Sequence, residues 1–228
     1  MALFLIILAV AFFGLIFGPQ FWVAHVIKKH AEPRPDLPGT GGELAQHLIE
    51  HFQLQGVGVE RIPAGDHYDP ESRTVRLSEA NYDGTSLSAV AIATHEVGHA
   101  IQHMRGESLL MWRQRLAHTM IWADRIGSGF LLLAPLFAGL TRAPSLLLLM
   151  AAVGIGLMAL RVVVHLVTLP VEYDASFKKA LPILEAGGYL DEKDMPAARQ
   201  VLKAAALTYV AAALMSMLNF ARLIRVFR

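Results

Sequence analysis

Two histidines and a glutamate occupy the spacing of a catalytic zinc site. The segment His95-Glu96-Val97-Gly98-His99 has the form H-E-x-x-H. In a helix, residues i and i+4 lie one above the other, so His95 and His99 can bind one zinc ion from adjacent turns. Glu96 is rotated by about 100° toward the open coordination position, where it can take a proton from the zinc-bound water. The pattern therefore predicts metal-assisted hydrolysis with Glu96 as the general base.

A catalytic zinc site needs a third protein ligand, which this segment does not supply. His103 continues the row of histidines, but it lies about 12 Å along the helix from His95, too far to share one ion. We therefore expect an acidic ligand from elsewhere in the chain. Glu172 is the first candidate and Asp174 the second. If the segment is helical, Asp174 lies about 200° around the axis from Glu172 and faces away from the ion.

A second histidine pattern competes with the first. The segment His47-Leu48-Ile49-Glu50-His51 has the inverted form H-x-x-E-H. Its polar residues lie on or beside the face that carries Glu43 and Gln46, in a short helix whose other face is needed for packing. We therefore interpret this segment as a solvated helix face.

Composition indicates a membrane protein and excludes several other kinds of site. The chain is 54% apolar and 17% charged, whereas an ordinary soluble domain is roughly 25% charged. The apolar residues are concentrated in blocks, which is typical of a membrane protein. The absence of cysteine excludes disulfides, Fe–S clusters and cysteine zinc sites. A net charge of +1 provides no basic field for nucleic acid, so we expect no nucleic-acid partner.

Four apolar segments are predicted to span the membrane, each close to the roughly 20 residues that a span requires. Their approximate ranges are 2–27, 117–141, 143–169 and 204–221. A cleaved signal peptide is the alternative for the first, but Lys28 and Lys29 follow the apolar run instead of preceding it. We predict a single membrane-embedded domain, 1–228, with a polar catalytic segment at 28–116 and a polar connection at 170–203.

With four spans, both polar segments fall on the same side of the membrane. More of the lysines and arginines near the span ends lie on that side, so the positive-inside rule places it in the cytoplasm. The arginine-rich tail 222–228 argues for the opposite orientation. We predict a multi-pass protein of the cell inner (plasma) membrane with a cytoplasmic catalytic side.

The polar segments predict a small α+β unit around the H-E-x-x-H helix. Helices are expected at 43–54 and 86–103, and strands at 57–62 and 74–77, with a turn-rich stretch at 63–72. The stretch 74–79 could pair with an extended substrate as an edge strand. Pro170 suits the first turn of a new helix segment. The predicted fold class is mostly α, a four-helix integral membrane protein with a small α+β zincin-like catalytic domain between spans 1 and 2.

The chain resembles the YugP-like neutral zinc metallopeptidases of bacterial membranes over nearly its whole length. The blocks that carry the resemblance are 66–70, 74–79, 95–102, 169–172 and 204–214. The resemblance implies a membrane zinc peptidase whose acidic ligand lies in the block that contains Glu172. The chain is also distantly similar to the HtpX and prenyl-protein proteases, in which an acid one turn beyond the glutamate ligand supports a zinc-bound histidine. Here that position is Ser176, and the nearest acid is Asp174.

These observations predict an integral-membrane, gluzincin-like zinc metalloendopeptidase. Zn²⁺ on His95, His99 and Glu172 would activate the attacking water, while Glu96 moves its proton to the leaving amine. The expected partners are a protein or peptide substrate, including membrane-associated ones, and the lipid bilayer. Candidates for stabilising the oxyanion are Tyr82, His103 and Tyr173.

Two other functions use the same residues. A non-hydrolytic membrane scaffold or chaperone-like protein could hold zinc structurally, but a closed structural site has no need of the Glu96 carboxylate. A zinc transporter would carry its ligands at mid-membrane within the spans, whereas His95 lies in the polar segment 28–116.

Overall fold

The computed structural model describes residues 2–226, with the side chains of 2, 3, 5, 8, 9, 144, 158, 159, 161–163 and 215–226 outside the described set. In chain order the elements are α1 (Ala2–Lys29), α2 (Gly41–His51), β1 (Gly58–Ile62), β2 (His67–Asp69), β3 (Thr74–Ser78), α3 (Glu79–Tyr82), α4 (Leu87–Met104), α5 (Ser108–Thr141), α6 (Pro144–Tyr173), a π-helix (Asp174–Ala180), α7 (Leu181–Gly187) and α8 (Met195–Val226). The described chain is therefore mostly helical with one small sheet.

The chain divides into two compact units. The polar unit comprises Gly18–Met111 and Leu169–Thr208. The apolar unit comprises the chain up to Phe17, the segment Trp112–Thr168 and the chain from Tyr209 onward.

Helix α4 forms the centre of the polar unit. Each of its residues from Leu87 to Gln102 is buried, as the apolar sequence predicts. Its first turn is capped by Ser86, whose hydroxyl accepts a hydrogen bond from the Ala89 N–H at 3.1 Å. Helices α2, α3 and α7, the sheet and the π-helix all pack against α4. The predicted helix at 86–103 is confirmed to within a residue at each end.

Helix α2 begins earlier than predicted because a capping box precedes its apolar face. The Thr40 hydroxyl accepts from the Glu43 N–H at 3.2 Å, and the Glu43 carboxylate accepts from the Thr40 N–H at 2.8 Å. These two bonds start the helix at Gly41 instead of 43, and it ends at His51. Its apolar face, which includes Leu48, contributes to the core of the polar unit.

The sheet has the order β1-β3-β2. Strand β3 pairs in parallel with β1 and antiparallel with β2. The alternating residues Val75 and Leu77 of β3 are fully buried, which is the period-two pattern of a half-buried strand. The two predicted strands are confirmed as β1 and β3.

Two predictions about this sheet are wrong. Strand β2 lies inside the stretch 63–72 that we predicted as turns, because three residues are too few to show a period of two. Strand β3 is the central strand, so its backbone is paired on both sides and cannot accept a substrate strand. The edge strands are β1 and β2.

The prediction that Pro170 starts a new helix segment is also wrong. Helix α6 continues through Pro170 to Tyr173, and the change in backbone comes at Asp174, where the seven-residue π-helix begins. Proline lacks only its own N–H, and a helix can absorb this loss where tertiary packing holds the chain. Here Val171 and Glu172, directly after the proline, are almost completely buried in the polar unit.

The apolar unit has an apolar surface. Among its exposed large side chains are Leu132, Leu140 and Leu148, each more than 70% exposed. Exposed apolar surface of this extent marks contact with a membrane or a partner.

Within the described residues, two helices are long and apolar enough to cross a membrane: Val10–Lys29 and Ser108–Thr141. A shorter apolar stretch covers Ser145–Leu157. The fourth predicted span, 204–221, is described only in part, because the side chains beyond Leu214 are outside the described set. The side chains of the tail 222–228 are also outside that set. The four-span arrangement therefore stays a prediction.

Candidate metal centre

The structure brings the three predicted ligands together in the polar unit. Helix α4 supplies His95 and His99, and the last turn of α6 supplies Glu172. The Glu172 Oε2 atom lies 3.3 Å from His95 Nε2 and 3.1 Å from His99 Nε2. The ligand atoms of all three residues lie within 4.8 Å of one another.

The two imidazoles are arranged to share one ion. Their ring centroids are 4.7 Å apart and their planes are nearly perpendicular, at 80°. This is the arrangement expected for an i, i+4 pair on one face of α4. Both Nε2 atoms consequently point at the same carboxylate oxygen.

The chemistry of this donor set fits zinc. Two imidazole nitrogens and one carboxylate oxygen form a known ligand set of catalytic zinc, and it leaves one coordination position open. All three side chains are buried, with exposed fractions of 2–4%. A divalent cation held by these three side chains would offset the negative charge of the buried Glu172 carboxylate.

Glu96 is close in sequence to these ligands but is not a member of the group. It follows His95 on α4, and its side chain is buried. The ligand group formed by the described residues consists of His95, His99 and Glu172 alone.

Each zinc-site histidine makes a second hydrogen bond through Nδ1. His95 Nδ1 lies 2.9 Å from Ser176 Oγ, and the Ser176 hydroxyl donates to the Leu202 carbonyl oxygen at 2.9 Å. His99 Nδ1 lies 2.9 Å from Gln102 Oε1. Hydrogen-bond partners on the far nitrogen orient metal-ligating imidazoles in many metalloproteins.

Gln102 joins His99 to the segment that follows the third ligand. Its side-chain N–H groups donate to the Val171 carbonyl oxygen at 3.0 Å and to Asp174 Oδ2 at 2.8 Å. Sequence analysis did not identify Gln102 as a site residue. The available signal was its position three residues after His99, which places both side chains on one face of α4.

Asp174, the second candidate for the third ligand, lies outside the ligand group. Its carboxylate accepts hydrogen bonds from Gln102 and, at 2.8 Å, from Lys179, which also pairs with Glu107 at 3.0 Å. Burial raises the pKa of Asp174, but the hydrogen bonds from Lys179 and Gln102 outweigh it and hold that pKa below its ordinary value. The pKa of Lys179 is lowered by burial and raised more strongly by Asp174 and Glu107.

The chain is similar to known proteins over nearly its whole length. Residues 4–228 match the model of a family described as "Putative neutral zinc metallopeptidase". The chain belongs to this family. It is also 38% identical to the "Putative membrane protease YugP" of Bacillus subtilis (strain 168), over 97% of this chain and 96% of that relative. No solved structure is significantly similar to the chain.

Zinc is the cofactor of the neutral zinc metallopeptidases, and His95, His99 and Glu172 form a potential site for it in this member. The resemblance noted from the sequence is confirmed by the family match and by the relative's name. Membrane association agrees with that name and with the two long apolar helices.

A glycine within H-E-x-x-H lets α4 and the π-helix approach closely. A Cβ atom at Gly98 would lie 2.9 Å from the Ala175 carbonyl oxygen and 3.3 Å from Lys179 Cβ, both in the π-helix. Contacts this short do not occur without a shift of the neighbouring atoms. The second x position of the motif is therefore restricted by packing.

The inverted motif does not form a second site. His47, Glu50 and His51 are exposed on α2, as the solvated-face interpretation predicts. The His47 ring lies 3.0 Å from the Tyr189 hydroxyl, and Glu50 accepts from Gln46 at 2.6 Å. In the described part of the chain, these three residues are not a metal-ligating group.

The three candidates for oxyanion stabilisation have different surroundings. His103 Nδ1 lies 2.8 Å from the hydroxyl of Tyr68, whose pKa burial raises to about 12. Burial also lowers the pKa of His103. Tyr173 is exposed and contacts Phe177, with the ring centroids 4.6 Å apart and the ring planes tilted by 33°. Tyr82 packs against the core of the polar unit.

Proposed function

We propose that this protein is an integral-membrane zinc metalloendopeptidase that hydrolyses peptide bonds in proteins or peptides. His95, His99 and Glu172 are its zinc ligands, and Glu96 is its general base. The observation that carries the proposal is the convergence of two Nε2 atoms on Glu172 Oε2 in a buried site of a neutral zinc metallopeptidase family member.

The chemistry is divided between the metal and the chain. Zinc, when bound, supplies Lewis acidity, which makes water more acidic and polarises the scissile carbonyl. Glu96 takes a proton from the attacking water as the C–O bond forms. It then gives that proton to the amine nitrogen as the C–N bond breaks, and this restores the carboxylate. His95, His99 and Glu172 hold their positions throughout.

Burial of the site contributes to this chemistry. Glu96 and the three ligands are each at most 6% exposed. Electrostatic interactions are stronger where water is excluded, because the local dielectric is low. An extended substrate would pair with one of the sheet edges, β1 or β2, since β3 is already paired on both sides.

The same proposal includes a membrane arrangement. Helices α1, α5, α6 and α8 contain the four predicted spans, at 2–27, 117–141, 143–169 and 204–221. The polar unit would then lie on the cytoplasmic side of the plasma membrane. Because the chain has no cysteine, single cysteines can report this directly. Gln55→Cys and Ala186→Cys, both at exposed positions of the polar unit, should resist impermeant thiol reagents in intact cells and react after lysis. Labelling of either one in intact cells would contradict the arrangement.

The decisive experiment on activity uses Glu96→Gln. This variant keeps all three ligands and the volume of the side chain but removes the base. We expect it to bind about one zinc per chain, as the wild type does, and to lose peptidase activity by several orders of magnitude. Activity near that of the wild type would contradict the hydrolytic mechanism. A wild-type protein that binds zinc but cleaves no peptide would instead favour the structural-zinc scaffold.

A further inference from the structure

We propose that Ser176 and Gln102 are positioning residues that set the tautomer of the two zinc histidines before the metal binds. Both rings would carry a proton on Nδ1, so that Nε2, the nitrogen that faces Glu172 Oε2, is the one left to bind the ion. This inference rests on the proposed zinc site and adds the chain's own means of preparing it. A neutral imidazole has one N–H, so its hydrogen-bond partners decide which nitrogen remains free to bind a metal.

The partners of Ser176 determine the proton position on His95. The Ser176 hydroxyl has a single hydrogen, and the Leu202 carbonyl, 2.9 Å away, can only accept. That hydrogen therefore points to Leu202, and only lone pairs of Oγ remain for His95 Nδ1 at 2.9 Å. His95 Nδ1 must then be the donor.

The partners of Gln102 determine the proton position on His99 in the same way. The amide nitrogen lies 3.0 Å from the Val171 carbonyl oxygen and 2.8 Å from Asp174 Oδ2, which are both acceptors. The reverse orientation of the amide would place its oxygen against two other oxygens. Gln102 Oε1 therefore faces His99 Nδ1 at 2.9 Å, and His99 Nδ1 must be the donor.

A series of contacts between charged side chains fixes the orientation of Gln102. Asp174 remains an acceptor because Lys179 donates to it, and Lys179 is held in turn by Glu107. This series of contacts runs from Glu107, directly before α5, to the Nδ1 atom of His99. Asp174 is thus outside the ligand group, yet it acts on His99 through Gln102.

The short stretch 172–176, where α6 passes into the π-helix, contributes three side chains to the site. Glu172 binds in the ligand group, Asp174 orients Gln102, and Ser176 orients His95. The π-turn begins at Asp174, between the ligand and Ser176. π-Helical turns are rare in proteins overall, and many of those that occur are found at functional sites. Ser176 contributes a hydroxyl beside His95, and the nearest carboxylate, that of Asp174, acts on His99 through Gln102.

The test measures the tautomers directly. The full-length protein, labelled with ¹⁵N-histidine and freed of metal by a chelator, is examined in detergent by NMR. The ring signals are assigned by their loss in His95→Asn and His99→Asn. We expect a proton on Nδ1 of both rings. A ring in the wild-type protein whose only proton is on Nε2 would overturn the inference without any further variant.

Two variants then test each positioning residue separately. Ser176→Ala should change the tautomer signature of His95 but not of His99, and Gln102→Met should do the reverse. Each should lower zinc affinity about 10–100-fold, as loss of a partner behind a metal ligand does. Affinity is measured by competition with a chromophoric chelator. Unchanged tautomers and affinity in both variants would also overturn the inference.

A matched control separates positioning from packing. Ser88 is another buried hydroxyl donor of α4: its side chain donates to the Ile27 carbonyl oxygen at 2.7 Å, and its backbone N–H donates to the His30 carbonyl oxygen at 3.0 Å. Neither bond involves His95 or His99. Ser88→Ala should leave both tautomers and zinc affinity unchanged. Because the tautomers are read without metal or substrate, failure of this inference would leave the peptidase proposal intact. An inactive protein with the expected tautomers would contradict only the peptidase proposal.

Discussion

Replacing Gly98 by alanine should weaken both the fold and the zinc site. The new Cβ would lie 2.9 Å from the Ala175 carbonyl oxygen, whereas ordinary contacts begin near 3.4 Å. Because that oxygen belongs to the backbone, α4 and the π-helix must separate by about 0.5 Å. Overpacking of this kind costs about 1–3 kcal/mol, and the better helix propensity of alanine returns about 1 kcal/mol. The net loss of stability is up to about 2 kcal/mol.

The zinc site should respond because its supports lie on both sides of this contact. The hydrogen bond between Ser176 and His95 is 2.9 Å long, and a separation of about 0.5 Å would bring it close to the limit for such bonds. We therefore expect Gly98→Ala to lower zinc affinity about 10-fold. Thermal unfolding in detergent measures the first effect, and chelator competition measures the second.

Gly18→Ala is the matched control for this experiment. Gly18 lies in α1, and a Cβ atom there would meet nothing within 4 Å. This variant should gain the helix propensity of alanine with no steric cost, and its zinc affinity should equal that of the wild type. If Gly98→Ala proved as stable as Gly18→Ala and bound zinc as the wild type does, the packing argument would be refuted.

Two further predictions follow from the ligand assignment and from an ion pair. Glu172→Ala should lower zinc content after dialysis against a weak chelator far more than Asp174→Ala; the reverse order would mean that the ligand is misassigned. Arg34 donates two hydrogen bonds to Asp194 and so lowers the pKa of that carboxyl below its ordinary value of 3.8. A lowered carboxyl pKa stabilises the fold above the unfolded-state value, and this stability is lost as pH falls through the folded-state pKa. Asp194→Asn should therefore be less stable at pH 6 and lose less stability than the wild type on acidification below pH 4, as followed by thermal unfolding.

Local pattern was sufficient for much of this protein. The H-E-x-x-H spacing, the apolar faces of α4 and the period of β3 all depend on residues within a few positions of one another. Such features are set by helix and strand geometry, so they can be read along the chain. The family could be recognised for the same reason, since it is carried by several short blocks in order.

The predicted association of Glu172 with the histidines rested on reach and on resemblance, and the tertiary structure brings these residues together. The distance of 3.1 Å between Glu172 Oε2 and His99 Nε2 joins residues 73 positions apart. No local propensity specifies such a contact, because it depends on how α6 continues through Pro170 into the π-helix, which packs on α4. The same packing decided that the chain changes to a π-helix only after Tyr173.

The sequence by itself determined the helix that carries H-E-x-x-H, the apolar segments and the family. Only the tertiary structure decided which strand of the sheet is central and which side chains stand behind the zinc histidines. Gln102 and Ser176 are ordinary polar residues in the sequence, and their roles arise from acceptors at Val171 and Leu202 that lie far along the chain. Buried polar groups must find partners, and those partners are defined only once the elements have packed.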